Sequence, residues 1–138
     1  MRKTMQVVLG AAVATVMGIG LPAGTAQAAE YQYPSEKDCQ TKGFAKDNLT
    51  KGACVIVVRR KGNCMACHQM NGLSSGNVAT QLRNMKARYG GADGKKRLRA
   101  QIENPHAAVK NSAMPPFGRH DILSKDEITQ LVDFLLTI

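Results

Sequence analysis

An all-α fold is what this sequence predicts, and three observations predict it. Ser124 with Glu127 three residues on is a capping box, and Ile128, Leu131, Val132 and Leu135 behind it form one apolar helix stripe. Val78, Leu82, Met85 and Tyr89 fall at spacings of four, three and four, a second such stripe, which Gly90-Gly91 closes. The third observation is Cys64-Met65-Ala66-Cys67-His68, because a C-x-x-C-H run is the attachment site for a c-type haem. The expected architecture is one small helical domain wrapped around that group.

The chemistry of the motif explains its spacing. Each thiol adds across one haem vinyl group to form a thioether. Two intervening residues let the sulfurs of Cys64 and Cys67 reach both vinyls, and the adjacent His68 lands beneath the iron as an axial ligand. A zinc site would want a second closely spaced Cys/His pair. A thioredoxin-like C-x-x-C would want a βαβ setting and has no use for His68. The single motif predicts one covalently attached haem c.

The elements follow in order along the chain. Residues 1–28 have the form of an export signal: Arg2 and Lys3, the uncharged apolar run from Val7 to Leu21, then Ala26-Gln27-Ala28 as a small-x-small cleavage pattern. The run is short for a membrane span, which needs about 20 apolar residues. The mature chain is therefore expected to begin at Ala29, soluble in the periplasm, with no spanning segment beyond it. Residues 29–49 form an N-terminal extension, polar and turn-rich from 30 to 48, expected to lie over the surface of a haem domain at 50–138. From Thr50 to Arg60 the signal is divided. Val55-Ile56-Val57-Val58 favours a strand by propensity, and a helix is preferred because a haem domain needs one entering the C-x-x-C-H. Gly62-Asn63 then makes a turn. After the 78–89 stripe, a short helix is expected from Gly94 to Glu103 with Leu98 and Ile102 inward, stopped before Pro105. Residues 104–123 form a loop stiffened by Pro105, Pro115 and Pro116, and the capped helix ends the domain.

Composition sets the compartment and the partners. About 110 residues beyond the signal make one domain with a thin side-chain core, which a haem would supplement. Lys and Arg number 19, two of them in the signal, against 10 acidic residues, leaving +7 on the exported chain. An exported chain rarely meets nucleic acid, so the excess serves either to steer an acidic partner or merely to solvate a basic face. Cys39 and Cys54 remain once the haem has taken its pair. In an oxidising compartment they are expected to join, closing a loop of about 15 residues worth about 3 kcal/mol. Two free thiols or a bond to a partner chain are the alternatives.

A six-coordinate electron-transfer haem wants a second axial ligand, usually Met or His. Met1, Met5 and Met17 leave with the signal, and Met65 and Met70 sit too near His68 to reach the other haem face. Met85 is already explained by packing on its stripe. Met114, in Ala113-Met114-Pro115-Pro116-Phe117-Gly118, stands on a loop long enough to come round the haem edge, and it is the expected ligand. His106 and His120 are the remaining candidates.

From Gly52 to Ile138 the chain resembles a class I cytochrome c. Within that class, Gly62-Asn63-Cys64-Met65-Ala66-Cys67-His68 and Met114-Pro115-Pro116-Phe117-Gly118 resemble the SoxX family, the small monohaem subunits of SoxAX cytochromes. The resemblance implies a heterodimer with a SoxA-like cytochrome, which handles thiosulfate at its own haem. That complex joins thiosulfate oxidatively to a cysteine on a SoxYZ-like carrier protein. The SoxX-type haem takes up the electrons and passes them to a small cytochrome c. No catalytic residues are expected on this chain, and no nucleophile–base pair or acidic dyad stands out. Such cytochromes usually place a proline after the haem motif, whose carbonyl accepts from the haem histidine. Thr80 stands where that proline would be, so the carbonyl of Ala79 or Thr80 must serve. The rival functions are a free-standing periplasmic electron shuttle and a haem peroxidase or sensor, which would need an open iron.

Overall fold

Glu36–Gln40 (α1), Asn48–Val57 (α2), Met85–Tyr89 (α3), Gly91–Glu103 (α4) and Lys125–Leu135 (α5) are the α-helices of the computed structural model, which describes residues 31–138. Single 3₁₀ turns occur at Cys64–Ala66 and Pro105–Ala107, and the described residues contain no strand. The expected export signal, residues 1–28, and its expected cleavage site lie outside the described residues.

The core is the crossing of α2 on α5. Asp47 caps α2, its carboxylate accepting from the Thr50 N–H at 2.9 Å, so the helix begins two residues before the expected Thr50. Val55, Ile56 and Val57 are fully buried there, and packing outweighs the strand propensity of the β-branched run. A Cβ on Gly52 would stand 2.2 Å from the Gln130 carbonyl oxygen and 2.7 Å from Phe134 Cβ. Glycine is what lets the two backbones come this close. On the other side, α5 opens with the Ser124/Glu127 capping box and buries Ile128, Leu131, Val132, Phe134 and Leu135. Lys61 pairs with Glu127. Burial raises the Glu127 carboxyl, but the hydrogen bonds from Lys61 and Ser124 and the Lys61 charge outweigh it, leaving the group below the usual glutamate range.

The extension is more ordered than its polar composition suggests. Ser35 and Asp38 form a capping box that opens α1, a signal present in the sequence at the same spacing as Ser124 and Glu127. The Cys39–Cys54 disulfide joins α1 to α2, and Glu36 accepts from the Arg59 N–H at 3.0 Å. Tyr31 and Tyr33 meet Phe134 edge-on, with ring centroids 4.8 and 5.7 Å away. Burial, with Tyr31 adding to it, pushes the Tyr33 hydroxyl up to about 12. The extension thus closes over the back of the α2–α5 crossing. Replacing both Cys39 and Cys54 by Ala should cost about 2–4 kcal/mol in denaturant unfolding and leave the haem spectrum unchanged. A loss below about 1 kcal/mol would show that the aromatic clasp alone holds the extension.

One expected helix is largely absent. Of the 78–89 stripe only Met85–Tyr89 is helical, and Val78 is 80% exposed. The reason is that the backbone before it is spent on the haem motif. Gly76 N–H donates to the Met65 carbonyl, Ala79 N–H to Cys67 and Leu82 N–H to Gln69, at 2.9, 3.0 and 2.9 Å. Groups bonded across to another segment cannot close an i→i−4 ladder. In compensation α4 is longer than expected, starting at Gly91 instead of Gly94, with Leu98 and Ile102 inward and its end before Pro105. Gly94 is needed where α4 presses on α3, since a Cβ there would stand 2.5 Å from the Tyr89 carbonyl.

Candidate haem site

The C-x-x-C-H segment is a 3₁₀ turn pressed against the end of α2. Gly62 N–H donates to the Val55 carbonyl at 3.1 Å, and a Cβ on Gly62 would come within 2.7 Å of that oxygen and 3.0 Å of the Cys64 sulfur. Asn63 follows in the left-handed region at φ +45°, a conformation Asn tolerates better than most residues. Gly-Asn before the first cysteine is thus a steric requirement of this turn. The Cys67 and His68 N–H groups both donate to the Cys64 carbonyl, at 3.2 and 2.9 Å. Burial pushes the Cys64 thiol up to about 12, which marks a sulfur set into apolar surroundings.

The strand-like stretch 76–80 lies along the motif, and a Cβ on Gly76 would fall 2.3 Å from the Ala66 carbonyl oxygen. This close approach delivers the Thr80 carbonyl to within 2.6 Å of His68 Nδ1. A carbonyl can only accept, so Nδ1 carries the proton and Nε2 keeps its lone pair for a metal. Of the two carbonyls weighed from the sequence, Thr80 makes the contact. Threonine therefore does here what proline does elsewhere in such chains, because the backbone oxygen is the functional atom.

Cys64, Cys67, His68 and Met114 all line one cavity of about 930 Å³. Its apolar walls come from Met85 and Tyr89 on α3, Leu98 and Ile102 on α4, and Phe117 of the proline loop. That volume is at the upper end for cofactor sites. Two thiols, an oriented imidazole, a thioether and an apolar surround fit a haem, whereas no group of three His, Cys, Asp or Glu among the described residues could hold a bare metal ion. Met114 is half-buried, its N–H donating to Ser112 Oγ at 3.2 Å. Met85 also lines the cavity, but it is 1% exposed and its sulfur lies 3.7 Å from the Arg88 guanidinium. Met65, Met70, His106 and His120 are not on the cavity wall.

Two cations on that wall were not picked out from the sequence. Lys61 is paired with Glu127. Arg88 donates to the Gln81 carbonyl at 3.1 Å and lies 5.4 Å over the Tyr89 ring, with no carboxylate partner among the described residues. No local signal distinguishes Arg88 from the other cations around it. Exposed Val109 and Ile122 line the cavity too, and their isolation in loops hid them from any periodicity.

When bound, haem supplies a one-electron couple at its iron. The residues placed to hold it are Cys64 and Cys67, whose thiols would tether the ring, His68, whose Nε2 is free to ligate, and Met114, whose side chain lines the same cavity, while the apolar walls would exclude water. A helical domain that closes on such a cavity defines a c-type, electron-transferring haem protein. The chain belongs to the cytochrome c family, whose profile, described as Cytochrome c, matches residues 57–138. Membership implies covalently bound haem c. The chain is also 38% identical over 80 residues to an "Uncharacterized lipoprotein" of Aquifex aeolicus (strain VF5), an alignment covering 55% of this chain and 36% of that protein. The chain thus spans little more than a third of that relative's length. No helix among the described residues is long and apolar enough to cross a membrane.

Proposed function

We propose that this chain is the SoxX-like electron-accepting subunit of a periplasmic SoxAX-type complex, carrying one haem c ligated by His68 and Met114. The observation that supports it best is that both side chains line the cavity that also holds Cys64 and Cys67. An iron held from both sides exchanges electrons through the ring edge and has no open position for thiosulfate. Substrate chemistry then belongs to a SoxA-like partner, and electrons leave this subunit for a small cytochrome c. The Gly62-Asn63-Cys64 turn and the Met114-Pro115-Pro116-Phe117-Gly118 loop are the sequence support for the SoxX assignment, and the 1–28 signal is the support for the periplasm.

Co-expression with a SoxA candidate tests this reading. The two cytochromes should co-elute as a heterodimer, thiosulfate alone should leave the isolated subunit's spectrum unshifted, and turnover should need both the partner and the carrier protein. A chain that stays monomeric beside its SoxA candidate would instead be the free shuttle. Carbon monoxide binding without denaturant would point to an open-iron peroxidase or sensor.

A further inference from the structure

Cys39 and Cys54 both stand before the stretch that the cytochrome c profile matches, residues 57–138, so the bond between them is no part of the family pattern. It brings a hazard along with its stability. The chain places four cysteines between residues 39 and 67, in the export compartment proposed above, where thiols are oxidised. Only one pairing of them is compatible with haem. Attachment adds the S–H of Cys64 and of Cys67 across a vinyl C=C each, the sulfur bonding one carbon and the hydrogen going to the other. A sulfur already in a disulfide has no hydrogen to add. Any bond from Cys54 to Cys64 or Cys67 therefore blocks a tether, and chain statistics favour that error. Cys54 is 10 residues from Cys64 and 15 from Cys39. Closure frequency falls as the three-halves power of loop length, so an unfolded chain brings Cys54 to Cys64 about twofold more often than to Cys39.

Local structure reverses that preference. The Ser35–Asp38 capping box opens α1, which carries Cys39, and Asp47 caps α2, which carries Cys54. Both caps act within three residues of sequence and need nothing from the distant α5. Glu36 then accepts from the Arg59 N–H and holds α1 against the end of α2. The threatened thiol is close by. Gly62 N–H donates to the carbonyl of Val55, the residue after Cys54, and a Cβ on Gly62 would lie 3.0 Å from the Cys64 sulfur. The turn that opens the haem motif is thus folded onto the part of α2 that holds Cys54. In the finished domain Cys54 is buried, so the contest is decided before folding is complete. We infer that the Cys39–Cys54 disulfide closes before haem is attached and guards the attachment, keeping Cys54 from capturing a haem thiol. The oxidant is a protein disulfide of the export compartment. Cys39 and Cys54 pass two electrons and two protons to it, their S–S bond forms, and the oxidant's S–S bond opens to two thiols. Cys64 and Cys67 keep their hydrogens for the vinyl groups. The inference rests on the proposed export and haem attachment.

Single and double cysteine variants separate the guard from the staple, since all of them lose the bond but only the single ones keep a stray thiol. The full chain is exported from cells that attach haem c, and covalent haem per polypeptide is read by mass spectrometry. Loading of Cys39→Ala should fall about threefold or more, with Cys54 bonded to Cys64 or Cys67 in unreduced peptide maps. The Cys39→Ala, Cys54→Ala double variant should load as wild type does. A mild thiol reductant in the medium should restore Cys39→Ala and leave the double variant unchanged. Cys54→Ala should be the milder single variant, because Cys39 is 25 residues from Cys64 and closes that loop about fourfold less often than Cys54 closes its own. A bond within the haem motif itself is open to every variant alike and cancels in the comparison. Equal loading of Cys39→Ala and the double variant, whether both high or both low, would overturn the inference. So would a shortfall in Cys39→Ala with no mispaired Cys54. Haem missing from the wild type as well would overturn the haem assignment, and the inference with it.

Discussion

A Cys64→Ala, Cys67→Ala double variant is expected to lose its covalent haem and, with it, the folded domain. Acidified acetone should strip haem from the variant and leave it on the wild-type chain. The structural consequence follows from the size of the site. Without the ring, the apolar walls of a site of about 930 Å³ would face water, and a small domain has only about 5–15 kcal/mol of stability to lose. Leu98, Ile102 and Phe117, which pack in the core and line this space, would lose the body they pack around. Far-ultraviolet circular dichroism should show most of the helix gone at room temperature. A variant that retains helix and tightly bound haem would mean the walls alone hold the ring.

The second large effect is at Met114. A Met114→Ala variant should keep its haem, because the thioethers and His68 are untouched. It should lose completely the far-red charge-transfer band of a Met-ligated ferric haem. Stability should fall by about 2–5 kcal/mol, toward the lower end because the side chain is only half-buried. The reduction potential should fall as well, since a soft thioether favours ferrous iron. A Met85→Ala variant should keep the band, as its sulfur is occupied in the core beside Arg88. If Met85→Ala abolishes the band and Met114→Ala does not, the assignment of the second ligand is reversed.

Legibility in the sequence followed how local each interaction is. Helix α5 could be placed almost to the residue because its cap and its stripe are contiguous. Helix α1 carries an equivalent cap, Ser35 to Asp38, but only five residues follow in the helix, too few to show a period. Helix α2 was preferred against its propensity for a contextual reason, and its burial on α5 is what makes it helical. The stripe from Val78 to Tyr89 misled because its spacing is truly helical. What defeats it is a set of backbone bonds from Gly76, Ala79 and Leu82 to the haem motif, which no pattern within those residues encodes. The site shows the same division. The Cys64–His68 motif is local and plain, whereas the sequence leaves the acceptor for His68 open between Ala79 and Thr80, and only the fold brings the Thr80 carbonyl to Nδ1. Arg88 reaches the site because of where α3 meets the cavity, and only the fold reveals that.

The α2–α5 crossing has a further consequence, for how the molecule is made. Gly52 and Phe134 meet across almost the full length of the domain, with both iron-ligand candidates in the loop between. Contacts this distant in sequence form late and slow folding, because loop closure comes before any reward. As the polypeptide is made, the buried face of α2 has no counterpart until the last helix is complete. A chain that stops anywhere before Lys125 therefore yields no smaller working domain. It leaves Ala53, Val55 and Ile56 bare to proteases. Cells should contain the complete cytochrome or none, and truncated products should vanish without accumulating.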